Sequence, residues 1–249
     1  MLTPPPPAHH FLDVQLVLAR AVHAGDLAAV RSLAPSTDLA TPGAEGITLL
    51  AFAFMAAGDE APERLAVLTE LVRAGADVRQ PVDAIGSVWE AALTSGSPAF
   101  ARAFLDGGVS ANTPVGRSTP PLFSAASEDS VETMRLLIAR GADLDARDAL
   151  GNSAAVHCLH TMQLDQAAEL LARGASPDTV NLRGESFLWV LWTQWGRTLE
   201  GSAARAKIEE MRDPLVYEGR RKWPPDPPRV ERDRLRAAGV DVVVPVGEE

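Results

Sequence analysis

HTMQLDQAAELLARGASPD, residues 160–178, reads as a polar turn, an amphipathic run that stops at Arg-Gly-Ala, and a second polar stretch. VETMRLLIARGADLDA, residues 131–146, has the same layout in other side chains. The Gly that closes each run sets a register. Gly75 in LVRAGADV, Gly108 in FLDGGVSA, Gly141 in LIARGADL and Gly174 in LLARGASP follow one another at intervals of 33 residues. Self-similarity at such a period marks a chain made by copying one supersecondary unit. A partial copy, LRAAGVDV, puts Gly239 65 residues beyond Gly174, close to two periods.

The parts inside each period recur as well. A first helix opens in GITLLAFAF (46–54), GSVWEAALTSG (86–96), STPPLFSAAS (118–127), GNSAAVHCLH (151–160) and GESFLWVLW (184–192). A turn and a second helix follow. In the second helix at 131–139, Val131, Met134, Leu137 and Ile138 fall on one apolar face. The closing Gly can adopt the left-handed conformation of a helix C-cap, and Arg140 suits the negative end of the helix dipole. The link DLDARDALGN is long enough for a β-turn finger. Truncating an interior leucine such as Leu137 or Leu171 is expected to cost ~2–5 kcal/mol.

This pattern resembles the ankyrin repeat. Its carriers are RAGADV (73–78), ARGADLDARDALGNS (139–153), ARGASPDTVNLRGES (172–186), TPPLFSAA (119–126) and AVHAGDLAAVRSL (21–33), over roughly residues 12–200. The resemblance, to the stand-alone bacterial type, implies an all-α ankyrin-repeat solenoid of stacked antiparallel helix pairs with β-turn fingers. The chain departs from the family in two ways. The Thr-Pro-Leu-His signature is nowhere intact, its His position holding Ala51, Glu90, Phe123, Val156 and Trp189. A seven- or eight-residue insertion around GDEAPER (58–64) is expected to lengthen the connection between the helices of the repeat that begins at Gly46.

Composition agrees with helices. Hydrophobic residues make up 46% of 249 and aromatics only 5%, so close-packed Ala and Leu are favoured over a sheet sandwich. The net charge of −10 repels phosphates, which disfavours nucleic acid and favours a protein partner with a basic surface. Cys158 is the single cysteine, so no intrachain disulfide can form. The start, MLTPPPPAHHFLDVQLVLARAVHAG, lacks a basic segment before its apolar run, and no stretch of about 18 apolar residues occurs. The expectation is a cytoplasmic protein, monomeric when free, with no membrane contact.

Three segments follow: a disordered Pro-rich lead at 1–11, the array at 12–200 with an N-terminal cap near Val14–Leu33 and about five repeats, and a C-terminal cap at 201–249. The cap carries a Pro-rich insertion, and VERDRLRAAG is read as a last half-repeat packed on the array. Four of the five Trp and the only Tyr lie between Trp189 and Trp223. They either plug the end of the stack or form an aromatic contact site, since Trp and Tyr are enriched in binding hot spots.

Residue chemistry argues against catalysis. His157-Cys158-x-His160 lacks the second ligand pair that a zinc site needs. There is no Gly-x-Ser-x-Gly elbow and no Gly-rich loop followed by Lys. Cys158 shares the register of Ala125 and reads as an inert buried thiol. No enzyme activity, metal or cofactor is expected. What the resemblance implies instead is a non-catalytic protein-interaction module, using short first helices and finger tips. The tip residues are Arg79, Gln80 and Asp83; Arg117; Arg147, Asp148 and Leu150; and Asn181, Leu182 and Arg183. Phe52, Ser124, Ser127, His157 and His160 would line the groove. An inhibitor or immunity protein for a bacterial toxin or effector is one specific form. The alternative is a ligand-binding or hydrolytic role of the Trp-rich C-terminal segment on an ankyrin scaffold.

Overall fold

The computed structural model describes residues 6–82 and 86–244. In chain order the helices are α1 (Asp13–Ala24), α2 (Leu27–Leu33), α3 (Leu49–Ala56), α4 (Pro62–Arg73), α5 (Val88–Leu93), α6 (Pro98–Asp106), α7 (Pro121–Ala125), α8 (Val131–Ala139), α9 (Ala154–His160), α10 (Leu164–Ala172), α11 (Phe187–Arg197), α12 (Ala203–Asp213) and α13 (Pro228–Ala237). Two compact units result, Met1–Arg117 with Asp129–Ala142, and Ser118–Glu128 with Asp143–Glu249.

Local chemistry sets the helix ends. Thr48, Ser87, Ser153 and Ser186 each stand before a first helix and accept a backbone N–H three residues on, at 3.0 to 3.5 Å. Pro120 replaces the hydroxyl one period before Ser153, and α7 is correspondingly only five residues long. At the second-helix ends, Gly75, Gly108, Gly141 and Gly174 have φ of +102°, +109°, +83° and +104°. The following residue donates back five positions, Ala76 to Leu71, Val109 to Phe104, Ala142 to Leu137 and Ala175 to Leu170, at 3.0 or 3.1 Å. That is a Schellman ending, and the register anticipated it. Gly239 (φ +78°) closes α13 in the same way, through Val240 N–H to Leu235 O.

The finger bases also repeat. Pro81–Val82 pairs antiparallel with Gly86–Ser87, and single bridges join Arg147 to Ser153 and Val180 to Ser186.

In the first unit α1 and α2, α3 and α4, and α5 and α6 pair across short turns, and each second helix touches the next along the row α2, α4, α6 and α8. Trp89, Phe104, Leu68, Leu71 and Leu49 are fully buried, with Ala19, Ala53, Ala92 and Ala101 allowing close approach. The extra residues near GDEAPER do not simply lengthen a loop. The α3–α4 connection is residues 57–61, while α3 has eight residues against six in α5 and α4 has twelve against nine in α6, so most of the insertion is absorbed as added helix.

The expectation of a disordered lead fails for residues 6–11; residues 1–5 lie outside the described residues. Pro7–His9 form a 3-10 turn, Ala44 N donates to His10 O at 2.7 Å, and Phe11 is 1% exposed. Its ring meets Phe52 edge-on at 5.6 Å. The first repeats would otherwise leave Phe52 in water, and Phe11 supplies the missing apolar cover.

In the second unit α9 pairs with α10 and α11 with α12, while α7 and α11 both touch α9 and α10 touches α12. The boundary placed at 200/201 therefore falls inside a helix pair, between α11 and α12. The expected half-repeat is corrected too. α13 ends like a second helix, but its only buried residue is Arg232, so no apolar face is available to stack. Leu170, at the register of Leu137, is fully buried, whereas Leu171 is half-buried. The interior leucine of that copy is Leu170.

Among the described residues Asp13, Glu45, Glu60, Met162 and Arg220 hold a positive φ without being glycine, and Met162 has a glycine counterpart in the repeat register. Gly96 turns the chain between α5 and α6 at φ +76°, and two periods on Met162 holds φ +60° between α9 and α10. A side chain in that conformation costs ~1–2 kcal/mol. Met162→Gly is expected to raise stability by about 0.5–1 kcal/mol, the strain relieved less the added backbone entropy of the unfolded chain. Met162 is 43% exposed, so little packing is lost. Urea titration followed by circular dichroism measures the change.

Candidate protein-interaction surface

The finger and groove residues named from sequence separate by what already holds them. In the first unit Phe52 is 0% exposed, ringed by His10, Phe11 and His23, and belongs to the core rather than to a groove. Arg79 is exposed and its Nη2 donates to Gly116 O at 3.1 Å. Gln80 Nε2 donates to Ala40 O at 2.6 Å, tying its finger to the preceding loop. Arg117 is exposed. Asp83 lies outside the described residues.

In the second unit Arg147 Nη1 donates to Val180 O at 2.7 Å, linking consecutive fingers 33 residues apart. The Asp148 carboxylate accepts Leu150 N–H and Asn152 N–H at 2.9 and 2.8 Å and Asn152 Nδ2–H at 3.0 Å, which fixes the tip. Leu150, held out by that tip, is 39% exposed. Asn181 is 3% exposed with every polar atom used. Its Nδ2 donates to Asn152 Oδ1 at 2.8 Å and Glu185 Oε2 at 2.7 Å, and its Oδ1 accepts the N–H groups of Arg183 and Glu185 at 2.9 and 3.0 Å. Asn181 is thus a post inside the finger and not a contact residue. Leu182 is half-buried; its N–H donates to Leu150 O at 2.9 Å and its carbonyl accepts from Val243 N at 2.7 Å. The Arg183 side chain is exposed, but its carbonyl accepts from Arg232 Nη1 at 3.0 Å.

A coherent open patch remains on α7 and α9. Ser124 is half-buried and Ser127 exposed. The His157 ring lies 5.1 Å from that of Phe123, and His160 is exposed one turn further on. Burial lowers the His157 pKa from its ordinary 6.5, opposed by the nearby Asp148 charge and reinforced by His160. The folded state thus gives up this proton more readily than the unfolded chain does. Stability from neutral His157 is complete above pH ~6.5 and is lost as pH falls through the lower folded value. His157→Gln is accordingly expected to shrink the drop in thermal midpoint between about pH 7.5 and pH 5.5, measured by calorimetry on both proteins.

The C-terminal tryptophans divide into two pairs. Trp195 is half-buried and engaged by its neighbours: Arg205 stacks on it with its guanidinium carbon 4.0 Å from the ring centre, Trp223 meets it edge-on at 6.2 Å, and its Nε1 donates to Glu209 at 3.1 Å. Trp189 and Trp192, centres 5.0 Å apart, are also half-buried. Cys158 is fully buried, its thiol pushed up to about 12 by burial, which keeps it protonated and unreactive. Among the described residues no group of three or more His, Cys, Asp or Glu is placed to hold a metal ion, and no helix is long and apolar enough to cross a membrane.

Sequence reasoning missed Asp178, Arg221 and Arg232. Arg221 Nε and Nη2 donate to the two Asp178 carboxylate oxygens at 2.8 and 2.7 Å, and these bonds hold the Asp178 carboxyl below its usual range. A 43-residue separation outside the repeat register gave no signal of this pair.

The ankyrin repeat family model matches residues 120–149. Searched against curated proteins, the sequence finds no significant match. Among solved structures the chain is similar to the ankyrin repeat domain of Bcl-3, a unique member of the IkappaB protein family, at 26% identity and a TM-score of 0.61, covering 88% of this chain and 97% of that one. It is similar in fold to an ankyrin repeat domain from Acinetobacter baumannii AYE, at 24% identity and a TM-score of 0.56, over 77% of this chain and 95% of that one. The ankyrin repeat protein EF0377 shares the fold at 18% identity and a TM-score of 0.57, over 80% and 98%.

Proposed function

We propose that this chain, an ankyrin-repeat protein, is a non-catalytic binding module that takes a protein partner on the open side of its first helices and on its finger tips. The observation that carries this reading is the patch on α7 and α9. His157 and His160 share one helix face beside Ser127, with an aromatic floor at Phe123, in a chain whose buried thiol has no chemistry to offer. Aromatic and imidazole groups part-exposed on rigid helices lose little entropy on binding. The contact residues are Ser124, Ser127, Leu150, His157 and His160 in the second unit, with Arg79 and Arg117 in the first. The net charge of −10 favours a partner with a basic surface.

A toxin or effector of the producing cell, held inactive by this protein in the cytoplasm, is the specific form that the acidic charge favours. Two measurements test the reading. A partner recovered from native lysate, identified by mass spectrometry and purified, is expected to lose at least tenfold in affinity for the His157→Ala, His160→Ala double variant in calorimetric titration. Unchanged affinity moves the site elsewhere. Co-expression with the product of the neighbouring gene is expected to relieve its toxicity, and persistent growth arrest refutes the inhibitor role.

A further inference from the structure

The chain's last described residues return to a single finger of the second unit. Arg221 forms a bidentate pair with Asp178, Arg232 reaches the Arg183 carbonyl, and Val243 N–H reaches the Leu182 carbonyl. The approach is close by construction. At Gly184, φ +78°, an added Cβ would fall on the Pro228 carbonyl oxygen and press against Arg232. Arg232 is 3% exposed.

What holds this segment differs from what holds the other helices. α10 buries Leu164, Ala167 and Leu170, and α12 buries Ile208 and Met211. α13 buries only an arginine, whose target is a backbone carbonyl. The finger therefore presents a carboxylate and the Arg183 carbonyl to arginine donors, and the Leu182 carbonyl to a backbone N–H of an extended strand. Within the segment Pro224, Pro225, Pro227 and Pro228 precede and open the helix, and just before them Trp223 meets Trp195 of α11 edge-on at 6.2 Å.

We propose that the finger at 178–184 is a docking site for an arginine-bearing helix followed by an extended aliphatic stretch. The chain's own residues 221–243 fill it in cis, and a partner protein carrying such a segment enters by displacing them. This rests on the reading of the fingers as protein-binding surface, and it names the chemistry that one of them selects. Tethering gives the cis segment an effective concentration near the millimolar range, so a free competitor is excluded until the tether's contacts weaken.

The probe is a fluorescein-labelled synthetic peptide of residues 219–244, titrated by anisotropy into the full-length protein. It is expected to bind the Arg221→Ala, Arg232→Ala variant, whose finger is intact, at least tenfold more tightly than wild type. Adding Asp178→Ala to that variant is expected to abolish the gain. If the opened variant takes no peptide, or takes it equally well with Asp178→Ala, the segment is a structural cap and the proposal falls. Hydrogen exchange on the wild-type protein provides a second check independent of any variant. Residues 229–243 are expected to exchange well before α9 to α12, and exchange only with the whole second unit overturns the proposal. Neither result depends on the α7–α9 patch, whose failure would appear only in the His157, His160 titration.

Discussion

Trp89→Ala is expected to cost ~3–5 kcal/mol, the scale for removing a large buried aromatic. Trp89 is 0% exposed, lies 6.3 Å from the Phe104 ring centre, and donates Nε1–H to Thr113 O at 2.8 Å. Truncation opens a cavity between α5 and α6 and also strips a partly buried carbonyl of its donor. Trp89→Phe retains most of the ring and loses the hydrogen bond, so its cost is expected to be smaller, about 1–2 kcal/mol. Urea unfolding followed by far-ultraviolet circular dichroism separates the two. A Trp89→Ala variant within 1 kcal/mol of wild type, on the order of a surface substitution, would contradict the packing described.

Asn181→Ala is expected to lower stability by about 2–4 kcal/mol, because one amide serves four hydrogen bonds inside the finger and its loss strands the buried Asn152 oxygen. This matters for interpreting binding data. Sequence places Asn181 among partner contacts, and a scan that found weaker binding on its replacement would read as support. The expected signature is different: Asn181→Ala loosens the tip at 181–185 in hydrogen exchange and lowers the unfolding midpoint without any partner present. If its stability equals that of wild type, the post role is wrong.

The candidate surface was legible in part, and particular residues show why. His157 and His160 were found because register alone assigns a position to one side of a repeated helix. Phe52 occupies the same register as His157 and was misjudged, since its exposure depends on whether Phe11, from outside the repeats, covers it. Leu171 reads as an interior leucine from its local pattern, although the 33-residue spacing from Leu137 selects Leu170. Bridges from Arg147 to Ser153 and from Val180 to Ser186 bracket two of the fingers read from sequence. Which side chains there face outward depends on hydrogen bonds between fingers, such as Arg147 to Val180 O and Gln80 to Ala40 O, that a periodicity cannot express.

The sequence by itself determined the unit of construction. Hydroxyl caps, closing glycines and the apolar face of each second helix are local devices that act over about six residues, so they can be read from one copy and checked on the next. Tertiary structure decided what each end of the chain does. The lead became core through Phe11, and the C-terminal segment settled on the finger at 178–184 through pairs 43 and 49 residues apart. Those contacts have no period and little apolar pattern. They join segments that follow no repeat register, so only the folded chain brings those side chains within reach of one another.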